Sequence, residues 1–328
     1  MKEIHLSPRI HNWFEDTKED PKELKNLSFS QLGFEKGNGV TNKELTQIVR
    51  FCPKLTSVDL DSSSNVGSAG ISRLCKLENL KELRFSHCKH AGGYWTLRKL
   101  KNATELESIS VPRLTDLNCS TLSSNRQLQK ITAGKIHYVT SRGWKKLGRL
   151  PNFTNLEVED SSHIDDENLK DLIYLKNLKS LKLAHCDFSG YRSGSAFARM
   201  LHLCANTPGR PWMHKGWRFL EKCKSLQALD LYGSEIRALD LSYIAKIPQI
   251  TDLGLDLCNV DDKGLVEIAK MQQLKKLHLR QSLHISDNGL TALHSLKNLE
   301  MIDIRGCRIS QQGLKHLEKL PKLKEIIQ

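Results

Sequence analysis

Apolar residues recur in this chain in one short phrase. A leucine or its equivalent is followed by further apolar residues at the third and fifth places, with polar side chains frequent between them. Copies start at Leu55, Leu80, Leu106, Leu128, Phe153, Leu178, Leu226, Ile250, Leu274 and Leu299, about every 24 or 25 residues over most of the chain. A degenerate copy starts at Leu24, and a truncated one, "LKEIIQ", at Leu323. Alternation with period two inside the phrase predicts a short strand with one buried face.

The segment after each strand repeats as well. "VDDKGLVEIAKMQQ", "ISDNGLTALHSLKN" and "ISQQGLKHLEKLPK" come after Cys258, Ser282 and Cys307. Their Asp or Ser is placed to cap a helix whose apolar residues lie three apart, as Leu265, Ile268 and Met271 do. Strand, turn, helix and return make one coil. A single coil cannot bury its own leucines, so neighbouring coils are expected to stack into a solenoid.

These phrases resemble the cysteine-containing class of leucine-rich repeats, the F-box-type and ribonuclease-inhibitor-like kind. The position eight places after the first leucine, which defines the class, holds Cys88, Cys186, Cys258 and Cys307. Ser63, Ser161, Ser234 and Ser282 hold it in other copies, and either side chain can donate to a carbonyl of the adjacent turn. Leu32, Leu114 and Ile136 depart from the pattern. The resemblance implies an α/β fold, a right-handed solenoid with a concave parallel sheet and convex helices over 24–328, preceded by a 1–23 cap segment. Function does not follow from it, because the family binds unrelated partners.

In this family the outward residues of the concave strands are the usual recognition surface. Here they fall two, four, six and seven places after the first leucine of each copy. Ten of them are acidic and eight basic. The positions expected to meet a partner are Asp59, Asp61, Arg84, His87, Glu157, Glu159, His185, Tyr232, Asp256, Arg280 and Arg305.

Charge complicates the picture. The chain of 328 residues carries 50 Lys and Arg against 37 Asp and Glu, a formal net charge of +13. The excess falls on helices and loops such as "RGWKKLGR", where lysines solvate an apolar shell. Nucleic acid would need a basic groove interleaved with stacking aromatics, and the concave positions supply none, so a nucleic-acid partner is not expected. No apolar run is long enough for a membrane span, and the charged start lacks the centre of a secretory signal. The nine cysteines form no C-x-x-C pair, which points to reduced thiols and a cytoplasmic setting, with export as an effector left open.

Motifs for catalysis are absent: no H-E-x-x-H, no phosphate-binding loop, no G-x-S-x-G. "HCKH" at His87 to His90 and "HCD" at His185 to Asp187 suggest a metal or thiol site, but their cysteines occupy the ladder position and are expected to be buried and inert. No metal, cofactor or catalytic residue is therefore expected. Only about 23 residues precede Leu24 and the repeats run to Gln328, so neither an F-box nor a ligase domain is expected. The expected function is a monomeric, non-enzymatic module that binds a protein partner on its concave face. The alternative is a regulator or substrate-recognition subunit tied to a ubiquitin ligase or a GTPase, or a secreted bacterial effector.

The period fails once. Leu178 and Leu226 stand 48 residues apart, and 188–225 forms an irregular insert. Two readings fit it: a repeat whose strand has decayed, or a recognition loop offering Trp212 beside Arg210, His214 and Lys215. Pro208, Gly209 and Pro211 stop a helix from running through. Trp217 is expected to pack inward, and Trp95 and Trp144 are expected in the core.

Overall fold

In the repeated phrase the first leucine and the residues three and five places on all turn to one side. Leu55, Val58 and Leu60, and likewise Leu274, Leu277 and Leu279, have no exposed surface. Each such side chain contributes roughly 1.5–3 kcal/mol on burial. The computed structural model describes residues 22, 26–28 and 40–328, apart from 62, 64, 89, 92, 93, 161–163, 165 and 186–214. The cap segment other than Lys22, and most of the 188–225 insert, thus lie outside the described residues. So do Leu32, Ser161, Cys186, Trp212 and the side chain of Trp95.

Among the described residues there are twelve strands, and their order in a parallel sheet is their order in the chain. The residues cluster into two compact units, Met1–Leu156 and Glu157–Gln328. The first contains β1 (Asn26–Ser28), β2 (Ser57–Asp59), β3 (Glu82–Arg84), β4 (Ser108–Leu114) and β5 (Lys130–Ile136). β6 (Asn155–Asp160) spans the division. The second contains β7 (Ser180–Leu183), β8 (Ala228–Asp230), β9 (Asp252–Gly254), β10 (Lys276–His278), β11 (Met301–Asp303) and β12 (Glu325–Ile327).

Register is in phase with the repeat: Val58 lies opposite Leu83, and Leu277 opposite Leu253 and Ile302. Just ahead of the strand, one carbonyl of a coil receives two amides of the next. Thr56 O accepts from Lys81 and Glu82, and Thr251 O from Lys275 and Lys276, at 2.8–3.0 Å. That fork sets the coil spacing at the entry to the strand.

A helix follows most strands, and its cap is the residue the sequence offered. Asp261 and Ser286 accept the amides of Gly264 and Gly289 through their side chains. Adjacent helix starts are also tied across coils. The Asp262 carboxylate takes the Ser286 amide at 2.8 Å and its hydroxyl at 2.6 Å; Asp116 does the same for Thr140. Gly289 is required there, because a Cβ on it would collide with Asp262 Oδ1.

Among the described residues, the ladder position donates to the preceding coil at Cys88, Cys258, Cys307 and Ser234. Cys88 Sγ donates to Leu60 O at 3.3 Å and Ser63 O at 3.1 Å, Cys258 to Leu231 O at 3.1 Å and Cys307 to Leu279 O at 3.0 Å. Ser234 Oγ does the same for Leu183 O at 3.3 Å. Ser282 Oγ differs: it is buried at the same position with no hydrogen-bond partner. Leu114 and Ile136 depart for a physical reason. β4 and β5 run on for seven residues and pair Leu114 with Ile136, so the chain keeps no tight turn whose carbonyls need a donor.

β7 and β8 are hydrogen-bonded neighbours, Leu181 opposite Leu229, across the long interval in sequence. The described end of that interval, Lys215–Lys222, is a 3₁₀ helix that buries Trp217 and Leu220, as expected for Trp217. Trp144 is also fully buried.

Candidate functional site

The polar residues between the buried ones line the opposite face of each strand, and they gather in three groups. In the first unit, β2 and β3 bring together Asp59, Asp61, Arg84 and His87. Arg84 Nε lies 3.2 Å from Asp61 Oδ2 and 3.6 Å from Asp59 Oδ2. Asp61 Oδ1 accepts the Ser86 amide at 2.6 Å and its hydroxyl at 3.0 Å, while His87 Nδ1 stands 3.9 Å away. Burial pushes the Asp59 carboxyl above its ordinary value, against the Asp61 amide and Arg84, which favour the anion. Arg84 and His87 remain exposed, so the group is a fixed array of carboxylates capped by one guanidinium.

In the second unit, Glu157, Glu159, His185 and Tyr232 line a concavity of about 320 Å³ with Val158, Lys182 and Ala184. Lys182 Nζ pairs with Asp230 Oδ2 at 2.9 Å and lies 5.7 Å from the centre of the Tyr232 ring. Burial pulls the Lys182 ammonium down, and the Asp230 hydrogen bond and charge outweigh it, leaving its pKa above the usual lysine value. His185 meets Tyr232 edge to face at 5.3 Å, and its amide donates to Tyr232 O at 2.8 Å. The backbone of His185 is left-handed, φ 53°. Leu257 and Gln281, at the same place in their coils, have φ 57° and 58°. The seventh position is therefore a turn that aims its side chain off the strand line, a direction that strand alternation alone does not reveal.

The third group lies on β9, β10 and β11, also in the second unit. Asp256 Oδ1 accepts the Arg280 amide at 2.8 Å. Arg305 forks onto Asp303, with Nη2 at 2.6 Å from Oδ2 and Nε at 3.0 Å from Oδ1. By register Asp303 is one of the outward acidic residues, but it is 2% exposed beneath Arg305. The Arg305 hydrogen bonds hold its carboxyl below the ordinary range. His278 Nε2 is 3.4 Å from Asp252 Oδ1, and that contact lifts its pKa.

Five charged or titratable residues of these groups were not among the positions expected to meet a partner: Lys182, Asp230, Asp252, His278 and Asp303. The four-place register carried all of them, and only the pairing of coils sets Lys182 against Asp230. Trp212 falls outside the described residues. Among the described residues no three His, Cys, Asp or Glu side chains converge to hold a metal ion. Of the described ladder thiols, Cys88 and Cys258 are buried and Cys307 is partly exposed. Burial pushes Cys88 and Cys258 up to about 12, and nearby carboxylates add to it.

A chain of the yeast Rad7–Elc1 complex superposes on 88% of this chain and 71% of its own, at TM-score 0.52 and 14% identity, a likeness of fold. With the repeat register, the parallel ladder and the thiol donors, that likeness decides the fold. It is the leucine-rich-repeat fold. No family model matches the sequence. A candidate RNA-binding protein of Caenorhabditis elegans is 24% identical over 284 residues, 84% of this leucine-rich-repeat chain and 30% of the relative. A candidate adenylate cyclase regulatory protein of Trypanosoma equiperdum is 33% identical over 105 residues, 32% of this chain and 16% of the relative. The chain thus spans less than a third of either relative. No helix among the described residues is long and apolar enough to cross a membrane.

Proposed function

We propose that this leucine-rich-repeat chain is a non-enzymatic module that binds a protein partner across the strand face, through the three groups of charged residues. One observation carries the reading. Arg84, Lys182 and Arg305 are each held by carboxylates of a neighbouring strand or of their own. Their side chains are ordered before a partner arrives, which lowers the entropy lost on binding. Charged groups arranged in this way favour specificity and encounter rate over raw affinity.

Partial identity to a candidate regulator of adenylate cyclase supports a second, narrower reading, in which the captured protein belongs to an enzyme complex. The RNA-binding description belongs to a relative of which this chain covers 30%, and the strand face, richer in acidic than basic positions, offers RNA no basic groove.

The test is affinity capture with the wild-type chain, followed by Kd measurement on the partner recovered. Arg84→Glu and Arg305→Glu are expected to weaken binding by about tenfold or more, equivalent to about 1.4 kcal/mol. Lys263→Glu, on a helix, is expected to leave Kd unchanged. Equal Kd for all three variants would refute binding by the strand face.

A further inference from the structure

The positive surplus of the chain is concentrated in one place. Each coil returns to its next strand through a short turn. In the second unit six of these turns, 174–179, 222–227, 246–251, 270–275, 295–300 and 319–324, hold eleven lysines, no arginine and one carboxylate, Glu300. The equivalent turns of the first unit, 51–56, 76–81, 102–107, 124–129 and 149–154, hold five basic residues and three acidic ones. Lysines that served only to solvate the turns would be spread over both units. Even with Glu221, Glu267 and Glu318 from the adjoining helix ends, four carboxylates stand against the eleven ammoniums.

Five of the lysines have a partner within the chain. Lys270 pairs with Glu267, Lys275 and Lys324 share Glu300, Lys322 donates to Asn298 Oδ1, and Lys246 lies over the Tyr243 ring. Lys176, Lys179, Lys222, Lys224, Lys297 and Lys319 are exposed, and their ammonium groups have no partner among the described residues.

The register turns these lysines into a surface. Ser180, Ala228, Asp252, Lys276, Met301 and Glu325 pair directly with one another in that order, each two places after the first residue of its phrase. The six strands therefore start level. The turns before them stand side by side at one end of the sheet, about 4.8 Å from coil to coil and roughly 24 Å from first to last. Their one aromatic residue, Tyr174, is half-buried, and they hold no large exposed apolar side chain.

A level strip of point charges, with nothing to stack on and nothing to insert, fits a flat and diffuse anion. Arginine forks would match single phosphates or carboxylates, whereas lysine ammoniums act as strongly hydrated point charges. Single-stranded nucleic acid would call for a groove with stacking aromatics. Anionic lipid headgroups present negative charge in a plane and need neither.

We propose that the lysine strip of the second unit is a docking surface for an anionic membrane, which holds the chain at the bilayer by charge. The inference goes beyond the interaction module and does not rest on it. Strip and strand-face groups use different sides of the coil, so membrane and protein partner can be held together.

Co-sedimentation of the full chain with vesicles tests this, comparing phosphatidylcholine alone with phosphatidylcholine containing roughly a third phosphatidylserine. The chain is expected to bind only the vesicles that contain phosphatidylserine, and to be released as added salt shortens the screening length. The quadruple variant Lys176→Gln, Lys222→Gln, Lys224→Gln, Lys297→Gln is expected to bind about a hundredfold more weakly, since each lysine near such a surface contributes about fivefold. A control variant, Lys43→Gln, Arg142→Gln, Lys263→Gln, Arg308→Gln, removes the same charge elsewhere and is expected to lose about tenfold or less. All eight side chains are exposed, so both variants are expected to fold. No binding to phosphatidylserine vesicles at low salt, or equal losses in the two variants, would overturn membrane docking. So would release of most of the chain from vesicles by oligouridine or polyglutamate at equal anionic charge, which would assign the strip to that polymer. The vesicle and polymer comparisons use the wild-type chain and stand whatever the variants do.

Discussion

The indole Nε1 of Trp217 donates to Asp240 Oδ1 at 3.1 Å, and both side chains are fully buried. The other carboxylate oxygen accepts the Arg237 amide at 3.0 Å, closing the helix start. Asp240 stands ten places before Ile250, where the following coils have Gly264, Gly289 and Gly313. A polar side chain thus replaces glycine in the coil that follows an indole at the helix core position. Asn168 holds the same place in the coil after Trp144.

Removing either partner of the Trp217–Asp240 contact leaves a buried polar group behind. Asp240→Ala strands the Trp217 N–H and the Arg237 amide and is expected to cost about 2–3 kcal/mol. Trp217→Ala adds a cavity and is expected to cost about 3–5 kcal/mol. Urea denaturation followed by circular dichroism measures both. A loss under about 1 kcal/mol for Trp217→Ala would mean that the 3₁₀ segment Lys215–Lys222 does not pack into the core.

The cysteine ladder makes a prediction with a built-in control. Cys258→Ser keeps a donor for Leu231 O, and the chain itself places Ser234 in that role, so a loss of about 1 kcal/mol or less is expected. Cys258→Asp introduces a buried charge beside Asp230 and Asp256 and is expected to cost about 3–5 kcal/mol. Similar small losses for both would mean that the position is exposed.

Buried thiols, in the ladder and outside it, set an alkaline limit. Burial raises Cys75, Cys88 and Cys258 to about 12 from 9.0. The folded chain holds these protons more tightly than the unfolded one, so their contribution is full below pH 9 and is lost as pH rises towards 12. Denaturation midpoints measured from about pH 8 to 11 are expected to fall, and less steeply in Cys258→Ser. Cys75, Cys88 and Cys258 are expected to react with a disulfide reagent only on unfolding.

Gly289→Ala brings a methyl group onto Asp262 Oδ1 and must displace the carboxylate from Ser286. The expected loss is about 1–3 kcal/mol, read as a lower melting temperature. Asp262→Ala in the same background should restore part of it, because the obstructing side chain is gone. No rescue would mean that the clash lies elsewhere.

His278 carries the pH response of the third group. The Asp252 hydrogen bond raises its pKa above 6.5, burial opposes, and Asp256 and Asp303 add to the rise. The stability that this charge contributes is full below pH 6.5 and is lost as pH rises through the raised value. NMR titration of the imidazole is expected to give a midpoint above 6.5 that moves down in Asp252→Asn. An unchanged midpoint would place the cause outside that pair.

What the sequence determined by itself was the coil. Its spacing named the buried leucines, the strand order, the helix caps at Asp261 and Ser286, and the thiol donors at Cys88, Cys258 and Cys307. All of these are local in period, and similar coils can stack in only one phase if every leucine is to leave water. It also named most of the strand-face residues, since alternation alone fixes which side a residue takes. Pairing between coils was decided only by tertiary structure. Lys182 finds Asp230 and Trp217 finds Asp240 because residues 48 and 23 places apart are brought within hydrogen-bond reach, and the burial of Asp303 beneath Arg305 of its own coil is likewise set by the packing around it. The seventh-position turns at His185, Leu257 and Gln281 were likewise invisible, because a left-handed φ at a residue other than glycine is set by the ladder around it, not by the side chain it carries.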